Sequence, residues 1–556
     1  MSNCNLTQNF LADKTFPSLH RLEEIDLSSS NLSGRLPDWF LKNCTKLESA
    51  NLRNNSLIGE IHLPTRPRSS MQIIDLSMNY IGGRLPPNLG MIFPNLWSLN
   101  LSVNHLSGNI PTSFVNMSEL QTIDLSNNHF SGPIPPSLGS DCPFLMYLKL
   151  SNNYLQGEIP SILPPTSYLD GNKLTGTIPS NLSSGQGFSL LDVHDNQLSG
   201  KLPESVVEIP GLIVLILGGN RFHGDVPPHL CDLKELQILD LSYNNFSGAI
   251  PSCSIPLGLR YLNLAGNAFQ GSIPHSFANT STLLSLNVRN NQLSGGLPSW
   301  FGDLLHIRIL LLSHNHFEDS IPTHLCKLQQ LQVLDLSNNN FSGRIPPCLS
   351  LNMGTENATG NEFYRTHFWT FMSEYFDGDL QGVEFSTKGN TYTYEGDILS
   401  WMIGMDLSSN RLTGDIPLEI GNLTTVKALN FSHNRLTGAI PVTFMNLHEI
   451  ESLDLSHNHL SGTIPQELGN MKSLEVFSVA YNNLFGCTPL FKDQFATFTV
   501  QSYEGNMGLR GTPLDESCVS DPSSQHMDDI IVYAISAFLV VFFGVTVVML
   551  YLNQIG

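Results

Sequence analysis

A chain of 556 residues would ordinarily divide into roughly three or four globular domains, but that expectation yields wherever an internal period runs through the sequence. Only 13% of residues are charged, yet the formal net charge is −21 and the pI about 5.2. This balance excludes the basic face that a nucleic-acid-binding protein needs.

The first residues, MSNCNLTQNF, have neither the basic start nor the apolar run of a signal peptide, and Met1 falls on a strand position of a repeat. The expectation is a sequence that begins inside a longer gene product. From there, alignment on LxxLxLxxNxL gives eighteen repeats, with the asparagine position running from Ser30 and Asn55 onward. The spacing is nearly constant, as from Asn434 to Asn458 and from Asn458 to Asn482. A period of about two dozen positions predicts a solenoid in which no single repeat buries its apolar face alone.

The segment IESLDLSHNHLSGTIP, Ile450 to Pro465, assigns a task to each position. Ile450, Leu453, Leu455 and Leu460 face the core, while Ser452, Asp454 and Ser456 alternate outward on a strand and line a concave surface. Asn458 turns inward to satisfy backbone groups of neighbouring coils, so that stacked asparagines form a ladder. Gly462 permits the turn, and Ile464 with Pro465 begins the convex side.

The runs LSGTIPQEL and TGDIPLEI resemble the plant-specific leucine-rich repeat of receptor kinases and receptor-like proteins. The resemblance covers nearly the whole chain. It implies an α/β-type repeat solenoid, a horseshoe or superhelix with parallel strands on the concave face. At about 4.8 Å per strand, some nineteen coils would offer an inner arc on the order of 90 Å, suited to a peptide or a protein.

The concave row four residues before the asparagine is mostly acidic or amide, its acidic members being Asp26, Asp75, Asp124, Asp192, Asp240, Asp335, Asp406 and Asp454. Lys149, Ile216 and Leu311 interrupt it, with Tyr147, Tyr154, His194, Tyr261, Arg289, Arg308 and His314 nearby. Exposed apolar and basic side chains in an acidic strip mark an expected ligand contact, set against ordinary drift of the repeat. The RxR pair with which some related receptor kinases hold a peptide carboxylate is missing. His433 and His457 recur one residue before the asparagine and read as solvated strand residues. Nucleotide loops, nucleophile elbows and metal-ligand spacings are not found, so neither enzyme activity, cofactor nor metal is expected.

Between Asn339 and Asn410 the step stretches to almost three times the usual one. The expected organisation is a solenoid over 1–348, an aromatic-rich island over 349–399, four further repeats over 400–486 and a cap with an acidic juxtamembrane segment over 487–529. FYRTHFWTFMSEYF and TKGNTYTYEGDILSWM give the island its rings, which either build its own core or make contacts. In receptor-like proteins an island four repeats from the end is implied in ligand or co-receptor engagement. That resemblance carries over to Lys388 and Tyr394.

Cysteine phase predicts two bonds between neighbouring coils. Cys231 and Cys326 stand thirteen residues before their asparagines, Cys253 and Cys348 nine after, so Cys231 faces Cys253 and Cys326 faces Cys348. Cys4, Cys44 and Cys142 read as reduced, buried thiols. Cys487 and Cys518 flank the last coil and are expected to close the cap, although relatives carry cysteine where this chain has Arg510. Asn43, Asn54, Asn116, Asn181, Asn279, Asn357 and Asn422 lie in glycosylation sequons beyond those the repeat itself creates at Asn31, Asn245 and Asn340. Asn100 and Asn430 are sequons on the concave row. Together these features predict an oxidising, secretory environment.

Residues 530–552, IIVYAISAFLVVFFGVTVVMLYL, predict one membrane-spanning helix, followed by a short tail over 553–556. Ala534, Ala537, Val541 and Gly544 form a narrow face of small residues suited to packing in lipid. The expected protein is a single-pass receptor at the plasma membrane with its solenoid outside. It would recognise a peptide or protein ligand, in defence or development, and signal through a recruited receptor kinase adaptor and a co-receptor. The alternatives are an inhibitor of secreted wall-degrading enzymes, which shares this repeat, and a non-functional truncated fragment.

Overall fold

The computed structural model describes residues 21–36, 41, 44–184, 187–252, 258–280, 282–351, 383–387, 390–394, 402–490, 493–514 and 518. The expected membrane span at 530–552, the tail and Cys4 lie outside them. Among the described residues no helix is long and apolar enough to cross a membrane.

Eighteen short strands, from Glu24–Asp26 to Val476–Ser478, form one parallel sheet in which each strand pairs with the next in sequence. Register is constant from coil to coil: Leu429 sits beside Leu453, and Leu453 beside Phe477. The constancy follows from the repeat, because a shift by one residue would turn every inward leucine outward. After the asparagine each coil contributes a second short strand, such as Tyr154–Gly157, to smaller lateral sheets. Most coils then turn through proline into a one-turn 3-10 helix on the convex side, as Pro465 leads into Gln466–Asn470. Gly462 has φ +84°, a left-handed conformation that explains glycine there.

The asparagine ladder is present along the described solenoid. Asn315 donates through Nδ2 to the carbonyls of Val288, Leu312 and Ser313 at 3.0, 3.1 and 3.2 Å, and its Oδ1 accepts from Leu293 N at 3.0 Å. Ser30 holds the first position with shorter reach, its Oγ donating to Ser28 O at 3.1 Å. Two residues after the asparagine, phenylalanine often fills the core: Phe222, Phe246 and Phe269 stack at 6.1 and 6.3 Å between successive centroids.

The ladder runs one coil further than the repeat pattern indicates. Asn506, one full period after Asn482, accepts from Leu484 N at 3.0 Å and donates to Val479 O at 2.9 Å. Its coil escapes the pattern because Gln501 stands where an inward leucine is expected, while Tyr503 fills the next inward position and is buried. Cys487 and Cys518 are bonded across this final coil, and Cys326 is bonded to Cys348 with a Cα separation of 5.5 Å. Cys253 lies outside the described residues. Cys44 and Cys142 are free and buried, and burial pushes the Cys142 thiol up to about 11.

The insertion leaves the sheet continuous, for Val333–Asp335 pairs directly with Gly404–Asp406. Of the insertion, the antiparallel hairpin Val383–Thr387 and Asn390–Tyr394 is described.

Candidate ligand-binding face

The concave row divides into an open stretch and a covered one. From Ser49–Asn51 to Thr166–Tyr168 the outward residues are half-buried or exposed, and they border a polar groove with Asn100, Asp124, Lys149, Tyr168, Asp192 and His194 on its walls. Tyr147 is exposed beside it, and Tyr154 is exposed on the adjoining lateral strand. Lys149 is half-buried, its Nζ 5.2 Å from the centre of the Tyr168 ring in a cation-π contact.

From Leu190–Asp192 to Gly404–Asp406 the outward strand side chains are buried, and they are in part half-buried again from Ala428–Asn430 on. Leu190, Val214, Ile216, Ile238 and Tyr261 pack together across adjacent strands. Ile309, Leu311, Val333, Met402 and Ala428 pack with Phe385 of the hairpin. The expectation of exposed contacts at Ile216 and Leu311 is therefore corrected: they are 4% and 0% exposed. Ile216 is covered by apolar neighbours one strand away on either side, and Leu311 lies in the cluster that receives Phe385. Tyr261, Arg289 and Arg308 are also buried, with Arg289 donating to Tyr243 Oη at 2.7 Å. His314 alone of this group is exposed, at a left-handed φ of 55°. Tyr394 is half-buried on the hairpin and shares a hydrogen bond with Thr387, while Lys388 lies outside the described residues.

Burial has electrostatic consequences along the covered stretch. Asp335 and Asp406 are register neighbours, and burial together with the Asp335 charge pushes Asp406 up to about 7. Asp240 is raised by burial, offset in part by hydrogen bonds from Ser242 and Asn263.

At the boundary between the two stretches lies a cluster that residue spacing did not reveal. Asp170, Asp192 and His194 each place a ligand-capable atom within 4.8 Å of the others. His194 Nδ1 is 2.7 Å from Asp192 Oδ1, and its Nε2 is 4.0 Å from Asp170 Oδ2. Burial alone would lower the His194 pKa, but Asp192 and Asp170 outweigh it and raise it to about 10. Burial, then the Asp192 charge, raises Asp170 to about 6. The signal for this cluster was the irregular coil: Asn172 follows Asn153 sooner than the period dictates, and both coils depart from the Asp-x-Ser strand.

His433 and His457 are exposed and stack at 4.1 Å, with Tyr481 4.4 Å beyond. Of the sequons, Asn54, Asn116, Asn181 and Asn422 are exposed or half-buried at the surface. Asn43 and Asn357 lie outside the described residues, as does the side chain of Asn279.

A one-strand-per-coil parallel solenoid with an asparagine ladder defines a leucine-rich-repeat domain, and the leucine rich repeat family matches residues 94–155, 258–317 and 404–460. The chain carries leucine-rich repeats and is similar to plant leucine-rich-repeat receptor-like proteins. It is 69% identical over 160 residues to Cuscuta receptor 1 of Solanum lycopersicum, covering 29% of this chain and 14% of that protein. It is 70% identical over 138 residues to receptor-like protein 1 of Arabidopsis thaliana, covering 25% of this chain and 13% of that protein. The matched stretches thus span about one seventh of the length of these relatives.

Among solved structures, the plant peptide hormone receptor RGFR1 in complex with RGF2 superposes with a TM-score of 0.68 at 27% identity, over 89% of this chain and 80% of that one. The Arabidopsis receptor kinase HAESA, in complex with the peptide hormone IDA and the co-receptor SERK1, gives 0.63 at 29% identity, over 91% and 85%.

Proposed function

We propose that this protein is a cell-surface receptor that recognises a peptide or protein on its concave face and signals through a recruited receptor kinase. The observation that carries the reading is the open polar groove beside Tyr147, Lys149 and His194, on a sheet whose next outward positions are covered. An extended chain laid across parallel strands meets one outward side chain about every 4.8 Å, so successive coils read successive parts of the ligand. RGFR1 and HAESA, each solved with a peptide hormone bound, support this reading. Three features of the sequence are in keeping with an extracellular ectodomain: the apolar segment 530–552, the surface sequons, and the matching repeat phase of Cys231 and Cys253. The ligand-contact role expected of Ile216, Tyr261, Arg289, Arg308 and Leu311 passes to Tyr147, Lys149 and His194, because the former are buried.

The test uses peptides selected on the immobilised full chain. Tyr147→Asp and Lys149→Glu should each weaken their binding at least about tenfold while leaving the thermal transition in place, since neither side chain belongs to the core. Undiminished binding in the folded double variant would remove the groove as the recognition surface.

A further inference from the structure

We propose that Asp170, Asp192 and His194 form a binding site for a divalent transition cation of the zinc or manganese class, open to the concave groove. In most coils the residue two before the ladder asparagine is a serine, and in several its hydroxyl donates to the strand aspartate, as Ser126 does to Asp124 and Ser242 to Asp240, each at 2.6 Å. In two successive coils that serine is replaced, first by Asp170 and then by His194. The replacements face each other across adjacent parallel strands, so the cluster arises from departures at one point of the repeat and not from the consensus.

The arrangement suits a metal ion. Asp192 Oδ1 accepts from His194 Nδ1 at 2.7 Å, which fixes the ring and directs Nε2 towards Asp170 Oδ2 at 4.0 Å. A carboxylate that orients a histidine through one ring nitrogen while the other ligates is the usual outer-shell partner of such an ion. Metal–nitrogen and metal–oxygen distances of about 2.1 Å fill the 4.0 Å gap, and a closure of roughly half an ångström gives a tetrahedral angle.

Asp170 and Asp192 are only 8% and 4% exposed. Ser151 engages Asp170 through Oδ1, and His194 engages Asp192 through Oδ1. Two buried carboxylates side by side call for positive charge, which a divalent cation would supply. His194 is half-buried and opens onto the groove, which leaves coordination positions for water or a donor from a ligand. One imidazole with carboxylates selects zinc or manganese over calcium, whose preference is for oxygen alone.

Imidazole ligates a metal only in its deprotonated form, so uptake of the ion strengthens with pH. The experiment strips the purified full chain with chelator and titrates it by calorimetry with Zn²⁺, Mn²⁺ and Ca²⁺ at about pH 6.5 and about pH 8. About one Zn²⁺ or Mn²⁺ per chain is expected, held more tightly at the higher pH, with Ca²⁺ binding weaker. Asp192→Asn should weaken binding about 10- to 100-fold. Asp170→Asn and His194→Gln should abolish it, and His433→Gln should leave it unchanged. Retained binding in folded His194→Gln, or equal loss in His433→Gln, would overturn the site in favour of adventitious surface coordination. Should the variants fail to fold, Co²⁺ added to the unaltered chain gives an independent reading: absence of the visible bands of a four-coordinate nitrogen–oxygen site also overturns it. No peptide enters the experiment, so its failure is distinguishable from failure of the recognition reading.

Discussion

Phe385, on the hairpin of the insertion, is packed in one apolar cluster with Leu311 of the concave row, and both are essentially closed to solvent. The contact joins a segment outside the repeat to the surface the repeat builds. Phe385→Ala should detach the hairpin, since truncating a buried phenylalanine costs about 3 to 5 kcal/mol and the hairpin is only ten paired residues, Val383–Thr387 with Asn390–Tyr394. Amide exchange over 383–394 should rise while the leucine strands stay protected. Unchanged protection of the hairpin would show that other contacts hold it.

The same contact marks the limit of what residue order reveals. Alternation along each strand correctly assigns Ile216 and Leu311 to the concave side, because strand periodicity decides which face a side chain takes. It does not say what lies over that face. Leu311 is packed under a hairpin far along the sequence that no period places, and Ile216 is covered by the chance agreement of Val214 on its own strand with Leu190 and Ile238 on the strands beside it. By contrast the ladder asparagines and the Cys326–Cys348 bond depend only on phase within the period, and phase is visible in a single sequence. Asn506 was hidden because the strand before it has lost its leucine pattern, and Asp170 because its shortened coil shifts its place in the alignment.

A mid-ladder asparagine should be costly to remove. Asn315→Ala deletes the acceptor of Leu293 N and the donor to three carbonyls, leaving buried backbone groups without partners. A loss of about 3 kcal/mol or more is expected, from about 1 to 3 kcal/mol per orphaned group. Asn506→Ala should cost less globally and loosen the end first, seen as faster exchange at Leu484 and Val479 neighbours before the sheet melts. Equal effects at both sites would argue against a ladder that transmits order from coil to coil.

The Asp335–Asp406 pair should make stability fall as pH rises. Asp406 is raised in the folded chain to about 7, first by burial and then by Asp335, from an ordinary value near 3.8. Between those values the folded chain holds a proton that the unfolded chain has released, so stability declines as pH climbs through that window. Asp406→Asn should remove this decline while keeping the acceptor for Ser408 N. Denaturant midpoints measured across the window check the slope, and a variant with an unaltered slope would assign it elsewhere.

Glycan occupancy should follow position on the solenoid and not the sequon alone. Asn422 ends a convex turn, and Asn54, Asn116 and Asn181 reach the surface, whereas Asn430 is half-buried on the concave row with Nδ2 3.2 Å from Asp406 Oδ2. Asn54 and Asn116 also donate through Nδ2, to Ser29 Oγ at 2.9 Å and Ser113 O at 3.0 Å, but both are exposed, so it is the partial burial of Asn430 that should exclude a glycan there. Enzymatic deglycosylation in heavy-oxygen water should therefore label Asn54, Asn116, Asn181 and Asn422, and spare Asn430. Label at Asn430 would mean that the concave row is obstructed in the last repeats.

Recruitment of a kinase-bearing partner can be tested without disturbing the hairpin. Deleting 357–391 would remove Phe385 and uncover Leu311 and Met402, so any loss of a partner would be confounded with a loss of packing. Point changes separate the two surfaces that remain. The first is the exposed stack of His433, His457 and Tyr481, whose rings lie 4.1 and 4.4 Å apart and whose last member donates to Glu504 at 3.0 Å. His457→Asp breaks this strip at its centre, and because the side chain is exposed the core is untouched. The second is the small-residue face of the proposed span, where Ala537→Leu with Gly544→Leu would fill the space that close helix packing in lipid requires. If the ectodomain selects the partner and the helix only steadies it, His457→Asp should abolish ligand-dependent co-purification of receptor kinases, and the helix variant should reduce the ligand-independent background. The reverse pattern would place selection in the membrane. Equal recovery with both variants would remove both surfaces from consideration.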